Sequence, residues 1–251
     1  MIKKRCFILG SGHSINDINI EILKNENVIC LNSLMHHEKY DALMNSELGK
    51  KIHVFTPLHE FRDKKLLNDY ILELEAPILE KVECYFGIDD YKHNYIKEFR
   101  KNSITINKNK KFIHTNIFYE NRDCIEEEDY DCSKTIWATK SSSNLALMLA
   151  LYMGFEEIFL LGVDHSHINI NSVDEIKAVK KGVLVKDEQD QFKNILSKGK
   201  EHQSSFFKDL ISVIKPMELI EDKFPGKVKN LSKISIFDCH EVVDIDSLTF
   251  K

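Results

Sequence analysis

Asp164, His165, Ser166 and His167 stand together directly after an apolar run, Ile158 to Val163. A carboxylate accepts hydrogen bonds, a hydroxyl both donates and accepts, and an imidazole changes charge near neutral pH. A second group, Gly10-Ser11-Gly12-His13-Ser14, follows the run Arg5 to Leu9. Glycines there let backbone N–H groups approach a phosphate, although the pattern stops short of G-x-G-x-x-G because position 15 is Ile. A third, Asn32-Ser33, closes the run Asn27 to Leu31. An amide that donates and accepts suits the reading of a nucleobase or ribose. Each group also has a plainer reading: a solvated turn whose Asp caps a helix, a glycine turn, a polar strand end.

The elements around these groups give them position. Residues 141–167 read as a helix, a tight turn, a buried strand and a polar loop. Leu145, Leu147, Met148, Leu149, Leu151 and Tyr152 are too densely apolar for a surface helix, and the run lacks β-branched residues. Gly154 stops the helix. Ile158 to Val163 suits a strand buried on both faces of a parallel sheet. Strands are also expected at Arg5–Leu9, Asn27–Leu31, Lys51–Phe55, Lys81–Phe86 and, as the last, Lys227–Leu231. The pattern predicts an α/β fold: a Rossmann-like, mainly parallel sheet flanked by helices, one domain over residues 1–251. In open sheets of this kind a ligand sits beyond the carboxyl ends of the strands, where all three polar groups fall.

Other segments carry less. Ser14 is expected to cap a short helix over Asp17–Lys24. Phe61–Leu74 is helical in pattern, and residues 87–135 are irregular and polar. Glu126-Glu127-Glu128-Asp129 reads as a solvated acidic face rather than a metal site. Residues 168–200 are expected to form a small helical, lid-like excursion, with an amphipathic helix over Val173–Lys181 and a charged stretch over Lys186–Gln191. Phe206, Phe207, Leu210, Ile211 and Ile214 then lie at helical spacing, in a helix that Pro216 is expected to end.

Composition excludes several classes. With 43% hydrophobic and 30% charged residues the chain is globular in kind, and a formal charge of −5 gives no basic signature for nucleic acid. No run approaches the roughly 20 apolar residues of a membrane span. The N-terminal apolar stretch, Cys6 to Leu9, is shorter than a secretory h-region of about 7–15 residues, so a cytoplasmic protein is expected. The six cysteines include no C-x-x-C pair, and Cys6, Cys30 and Cys84 fall in apolar runs as buried thiols. No metal ligand set is expected.

Four stretches fall in order along nearly the whole chain: FILGSGHSIND, VICLNS, the serine-rich helix start with GFEEIFLLGVD, and KVKNLSKIS. Together they resemble the bacterial sialyltransferases that use CMP-sialic acid. They resemble equally, or more closely, a broad group of bacterial surface-glycan proteins that share a domain with archaeal 6-hydroxymethylpterin diphosphokinases. The sialyltransferase resemblance implies a nucleotide site. The Gly10–Gly12 loop, with Ser11, would approach the donor phosphate or ribose, and Asn32 with Ser33 would meet the nucleotide. Ser141 and Ser142 occupy the place of a Thr-Ser pair that contacts the donor, and Asp164 would lie beside the cytidine pocket. His165, Ser166 and His167 stand where those enzymes carry tyrosines that stabilise the leaving phosphate. His202 occupies a segment comparable to the one that supplies their catalytic histidine, with His165 and His167 as competing candidates.

Three functions are therefore expected to compete. The first is a metal-independent glycosyltransferase taking a CMP-sugar or related nucleotide-sugar donor and a cell-surface glycan acceptor, with no cofactor. The second is an ATP-dependent diphosphokinase using Mg²⁺. The third is a noncatalytic nucleotide- or glycan-binding module. Peripheral contact with the inner face of the membrane and a homo-oligomeric state are compatible with each.

Overall fold

The structure, a computed structural model, describes residues 4–58, 64–89, 94–116, 123–137, 141–164, 200–235 and 238–250. The chain enters the sheet in the middle. Strand β1 (Arg5–Leu9) is followed outward by β2 (Asn27–Leu31), β3 (Lys51–Phe55), β4 (Glu83–Ile88), β5 (Lys110–Asn116) and β6 (Ile136–Trp137). The chain then returns to the other side of β1 for β7 (Glu157–Leu161), β8 (Val228–Asn230) and β9 (Glu241–Val242). The order is β6-β5-β4-β3-β2-β1-β7-β8-β9, and every pairing is parallel. This is the Rossmann-like α/β architecture that the sequence predicts.

Alternation along the central strands divides the core into two layers. Cys6 and Ile8 of β1, Ile29 and Leu31 of β2, and Ile158 and Leu160 of β7 pack on one face. Phe7, Leu9, Val28, Cys30, Phe159 and Leu161 pack on the other. Successive side chains point to opposite faces, so a strand covered on both sides reads as an unbroken apolar run. The second face is covered by α1 (Tyr40–Met44), α2 (Lys64–Glu73), α3 (Pro77–Lys81) and α4 (Tyr95–Lys101), whose apolar residues share that cluster.

The first face carries α5 (Ser142–Tyr152), which lies across β1, β2 and β3. Every residue from Ser143 to Leu151 is buried, because the outer side of α5 is covered by α6 (Lys200–Lys223). A helix apolar all round needs cover on both sides. Met153 closes α5, and Gly154, at φ +74°, turns the chain into β7.

Several expectations are corrected. Pro216 lies inside α6, not at its end. An internal proline costs about 3 kcal/mol, but Met217, Leu219 and Ile220 just beyond it are buried. Each buried side chain of that kind is worth about 1.5–3 kcal/mol, so the helix continues. Asn144 also donates to the Val213 carbonyl in the turn before the proline, at 3.2 Å. Ser14 caps no helix: residues 13–23 form two 3₁₀ turns, and Asn19 caps the second by accepting from Glu21 N–H. Residues 87–135 hold α4 and β5, and β4 begins two residues later than expected because Pro77–Lys81 is helical. Strand β8 is not the last, since β9 adds an edge beyond it. The proposed lid over 168–200, including the helix at Val173–Lys181, lies outside the described residues apart from Lys200.

The enclosure of α5 sets the expected cost of a cavity there. Leu147→Ala should lower unfolding free energy by about 2–5 kcal/mol in urea denaturation. A loss below about 1 kcal/mol would contradict burial on all sides.

Candidate functional site

The connections of β1 and β7 diverge. After β1 the chain turns to the second face, where Ile15, Ile20 and Leu23 are buried. The helix that precedes β8, α6, lies on the first face. Such a switch point opens at the carboxyl ends of the strands. Here the two strand ends are seamed together. Gly10 N–H donates to the Leu161 carbonyl at 2.8 Å, and Gly12 N–H to the Gly162 carbonyl at 2.7 Å. Asp164, 1% exposed, accepts from Ser14 N–H at 2.7 Å and from the Ser14 hydroxyl at 2.6 Å. Ser14 Oγ in turn accepts from Gly162 N–H at 3.0 Å.

The glycines have a definite purpose in this seam. A Cβ on Gly10 would strike the Gly162 carbonyl, and one on Gly12 would lie 2.6 Å from the Asp164 carboxylate. Gly162 has a φ of +67°, which disfavours any side chain. The Gly10 and Gly12 N–H groups therefore bind β7, and the close backbone approach is between strand ends. Asp164 stands at the expected position with its carboxylate committed to Ser14. Cys6, Cys30 and Cys84 are buried and free, and burial pushes each thiol up, Cys84 to about 12.

The second half of the site lies at the end of β2. Asn32 is half-buried and has a φ of +42°. Its side-chain Oδ1 accepts from Thr56 N–H, just past β3, at 3.2 Å. A backbone N–H can only donate, so Oδ1 and Nδ2 are fixed in place. Nδ2 then donates to Ser142 Oγ at 3.1 Å, at the start of α5. Ser142 Oγ accepts that bond, which leaves its own proton for another acceptor. Ser141 is the N-cap of α5, accepting from Ser143 N–H at 3.2 Å and meeting Ser143 Oγ at 2.6 Å. Ser33 makes a long contact to Ser11 Oγ, 3.4 Å, between the ends of β2 and β1.

The structure thus gathers Gly10, Ser11, Gly12, Asn32, Ser33, Ser141, Ser142 and Asp164 along the carboxyl edge of β1, β2 and β7. His165, Ser166 and His167 lie outside the described residues. His202 sits in the first turn of α6. It is about 16 Å along the axis from Val213, which touches Asn144 near the start of α5. Glu126 and Asp129 form a capping box around a 3₁₀ turn, and Lys223 lies 3.6 Å from Glu126. Among the described residues no group of three His, Cys, Asp or Glu side chains is arranged to hold a metal ion.

Sequence reasoning missed three participants. Thr56 orients Asn32. His53, fully buried in β3, contacts the Asn32 carbonyl through Nε2 at 2.9 Å, and Tyr40 OH meets its Nδ1 at 2.7 Å. A histidine inside the otherwise apolar strand KIHVF was the available signal. Burial pulls the His53 pKa down to about 3, although its bond to Asn32 opposes the shift.

No family model, no curated protein and no solved structure matches the chain.

The seam predicts strong coupling. Ser14→Ala and Asp164→Asn should each lower unfolding free energy by about 1.5–3 kcal/mol, as expected for a bond to a charged group. The double variant should show about 0.5–3 kcal/mol of coupling in a mutant cycle. Additive losses would contradict the clamp. His53 predicts an acid dependence. Its folded pKa lies below the ordinary 6.5, so the unfolded chain takes up the proton first as pH falls. Its contribution should be complete above about pH 6.5 and decline toward pH 3. A pH series of urea denaturations should show a shallower acid slope in His53→Phe than in the parent; equal slopes would contradict a buried neutral His53.

Proposed function

We propose that the chain is a sialyltransferase-like glycosyltransferase, moving a sugar from a CMP-sugar or related donor to a cell-surface glycan acceptor. One observation carries the reading: the directed chain from Thr56 N–H through the Asn32 amide to Ser142 Oγ. It leaves the Ser142 O–H to donate beside the first turn of an 11-residue helix. That turn carries the positive end of the helix dipole, with Ser143 N–H already capped by Ser141 Oγ. Hydroxyl and helix end together suit a phosphate. The remaining Asn32 N–H suits an oxygen of the nucleoside.

In this reading the phosphate–sugar bond breaks as the acceptor oxygen attacks the anomeric carbon. Ser142 and the α5 N-terminus receive the charge that develops on the departing phosphate. A general base removes the acceptor proton. We assign that role to His202, in the first turn of α6, from the resemblance to the sialyltransferase segment that supplies a catalytic histidine. His165 and His167 are the alternatives. The diphosphokinase reading is less well supported by the donor set. It asks for carboxylates around Mg²⁺, and Asp164 is committed to Ser14. Asp89, past the end of β4, lies three strands from β1, about 14 Å away by strand spacing. No described helix is long and apolar enough to cross a membrane. We propose that contact with the inner membrane face comes through the acceptor.

The reading is tested by titrating the full chain with CMP, CDP, UDP, GDP and ATP, with and without Mg²⁺, and then by donor turnover. CMP should bind without metal, and EDTA should leave release of CMP from CMP-sialic acid intact. His202→Ala should lower turnover by roughly 10²–10⁴-fold and keep CMP affinity. Binding of ATP alone, dependent on Mg²⁺, would overturn the reading. CMP binding without turnover of any donor would leave a noncatalytic module.

A further inference from the structure

We propose that Tyr40 and His53 are positioning residues that hold Asn32 in the one conformation that points its amide at Ser142 and a ligand; this rests on the nucleotide reading above. Asn32 is one of two described non-glycine residues with positive φ, the other being Ser103. Few residues other than glycine adopt that conformation, and Asn does so more readily than most, so the contacts around Asn32 select it rather than force it. A buried contact holds the Asn32 carbonyl in this conformation, from His53 Nε2. A carbonyl only accepts, so His53 carries its proton on Nε2 and donates at 2.9 Å. The neutral ring then has a lone pair on Nδ1, and the Tyr40 O–H, 2.7 Å away, supplies the proton it needs. The bond directions follow without choice: Tyr40 to His53, and His53 to the Asn32 backbone.

Packing keeps this relay from rotating. Tyr40 and His53 are both fully buried. The imidazole stacks on Phe55 at 4.3 Å and 20°, and Phe55 stacks on Phe86 at 4.9 Å and 7°. Tyr40 meets the imidazole edge-on at 5.5 Å. The relay starts in the apolar layer on the second face and ends at a half-buried amide on the carboxyl edge. With the Asn32 carbonyl pinned from inside, its side chain is turned to Thr56 N–H and Ser142 Oγ. Asn32 would touch the ligand; Tyr40 and His53 act only through it.

The test uses the full chain as parent, Tyr40→Phe and His53→Leu. Leu79→Ala serves as a stability control, in α3 before the amino end of β4. Ring nitrogen NMR of the parent should show a protonated Nε2 and an unprotonated Nδ1 on His53. In both relay variants the Asn32 backbone and side-chain amide resonances should shift. CMP affinity should fall roughly tenfold or more, the loss expected when one oriented hydrogen bond goes. Leu79→Ala should destabilise the chain and leave Asn32 and CMP affinity unchanged. Unmoved Asn32 resonances in Tyr40→Phe, a proton on Nδ1 of the parent His53, or equal CMP affinity in parent and relay variants would overturn the proposal. If the parent binds no CMP while Asn32 still responds to Tyr40→Phe, the nucleotide reading falls and the hold on Asn32 stands.

Discussion

A buried carboxylate joins the two halves of the sheet. Asp164 is taken out of water at the end of β7, which is costly unless its oxygens find donors. Ser14, 150 residues earlier in the chain, supplies both its N–H and its hydroxyl. That requirement brings the β1 loop against the end of β7 closely enough that only glycine fits at 10, 12 and 162. The switch point of the fold is thereby closed by protein bonds along the β1–β7 seam. The groups that we propose meet a ligand lie on its β2 side, between the seam and the start of α5.

The character of that remaining surface follows from bond direction rather than charge. Thr56 N–H fixes the Asn32 amide, the amide makes the Ser142 hydroxyl an acceptor, and the hydroxyl proton is directed onward. Behind this chain His53 is neutral and fixes the Asn32 carbonyl. The site is thus a set of oriented donors set on a rigid core. Pre-oriented dipoles of this kind need little reorganisation when negative charge develops on a leaving phosphate. A metal-free transfer from a nucleotide sugar is the chemistry we propose for it.

The sequence exposes the parts of this arrangement that depend on burial. β1, β2 and β3 could be read to the residue, and β7 nearly so, because strands covered on both faces leave continuous apolar runs. Strand β5, KKFIHTN, lies next to the edge strand, mixes buried and partly exposed positions with polar residues at most of them, and leaves no such run. Pro216 misled because helix-breaking is a local cost, whereas burial of Met217, Leu219 and Ile220 is set by the tertiary fold. The site was legible as positions: polar residues after apolar strands. Its wiring was not. Ser14 looked like a helix cap because its partner lies far along the chain, and His53 looked like part of a strand because nothing local shows that it faces Asn32.

The central claim is that a nucleotide phosphate rests against the first turn of α5 beside Asn32. Backbone and side-chain amide shift mapping of the ¹⁵N-labelled chain during titration with CMP in EDTA tests it most directly. The account predicts that the largest shifts fall on the amide of Ser142 and on the Asn32 side chain, with Gly10, Gly12 and Ser143 moving less because their N–H groups are already bonded, the glycines to the end of β7 and Ser143 to Ser141 Oγ. Largest shifts elsewhere on the sheet, with Ser142 and Asn32 unmoved at saturation, would contradict it.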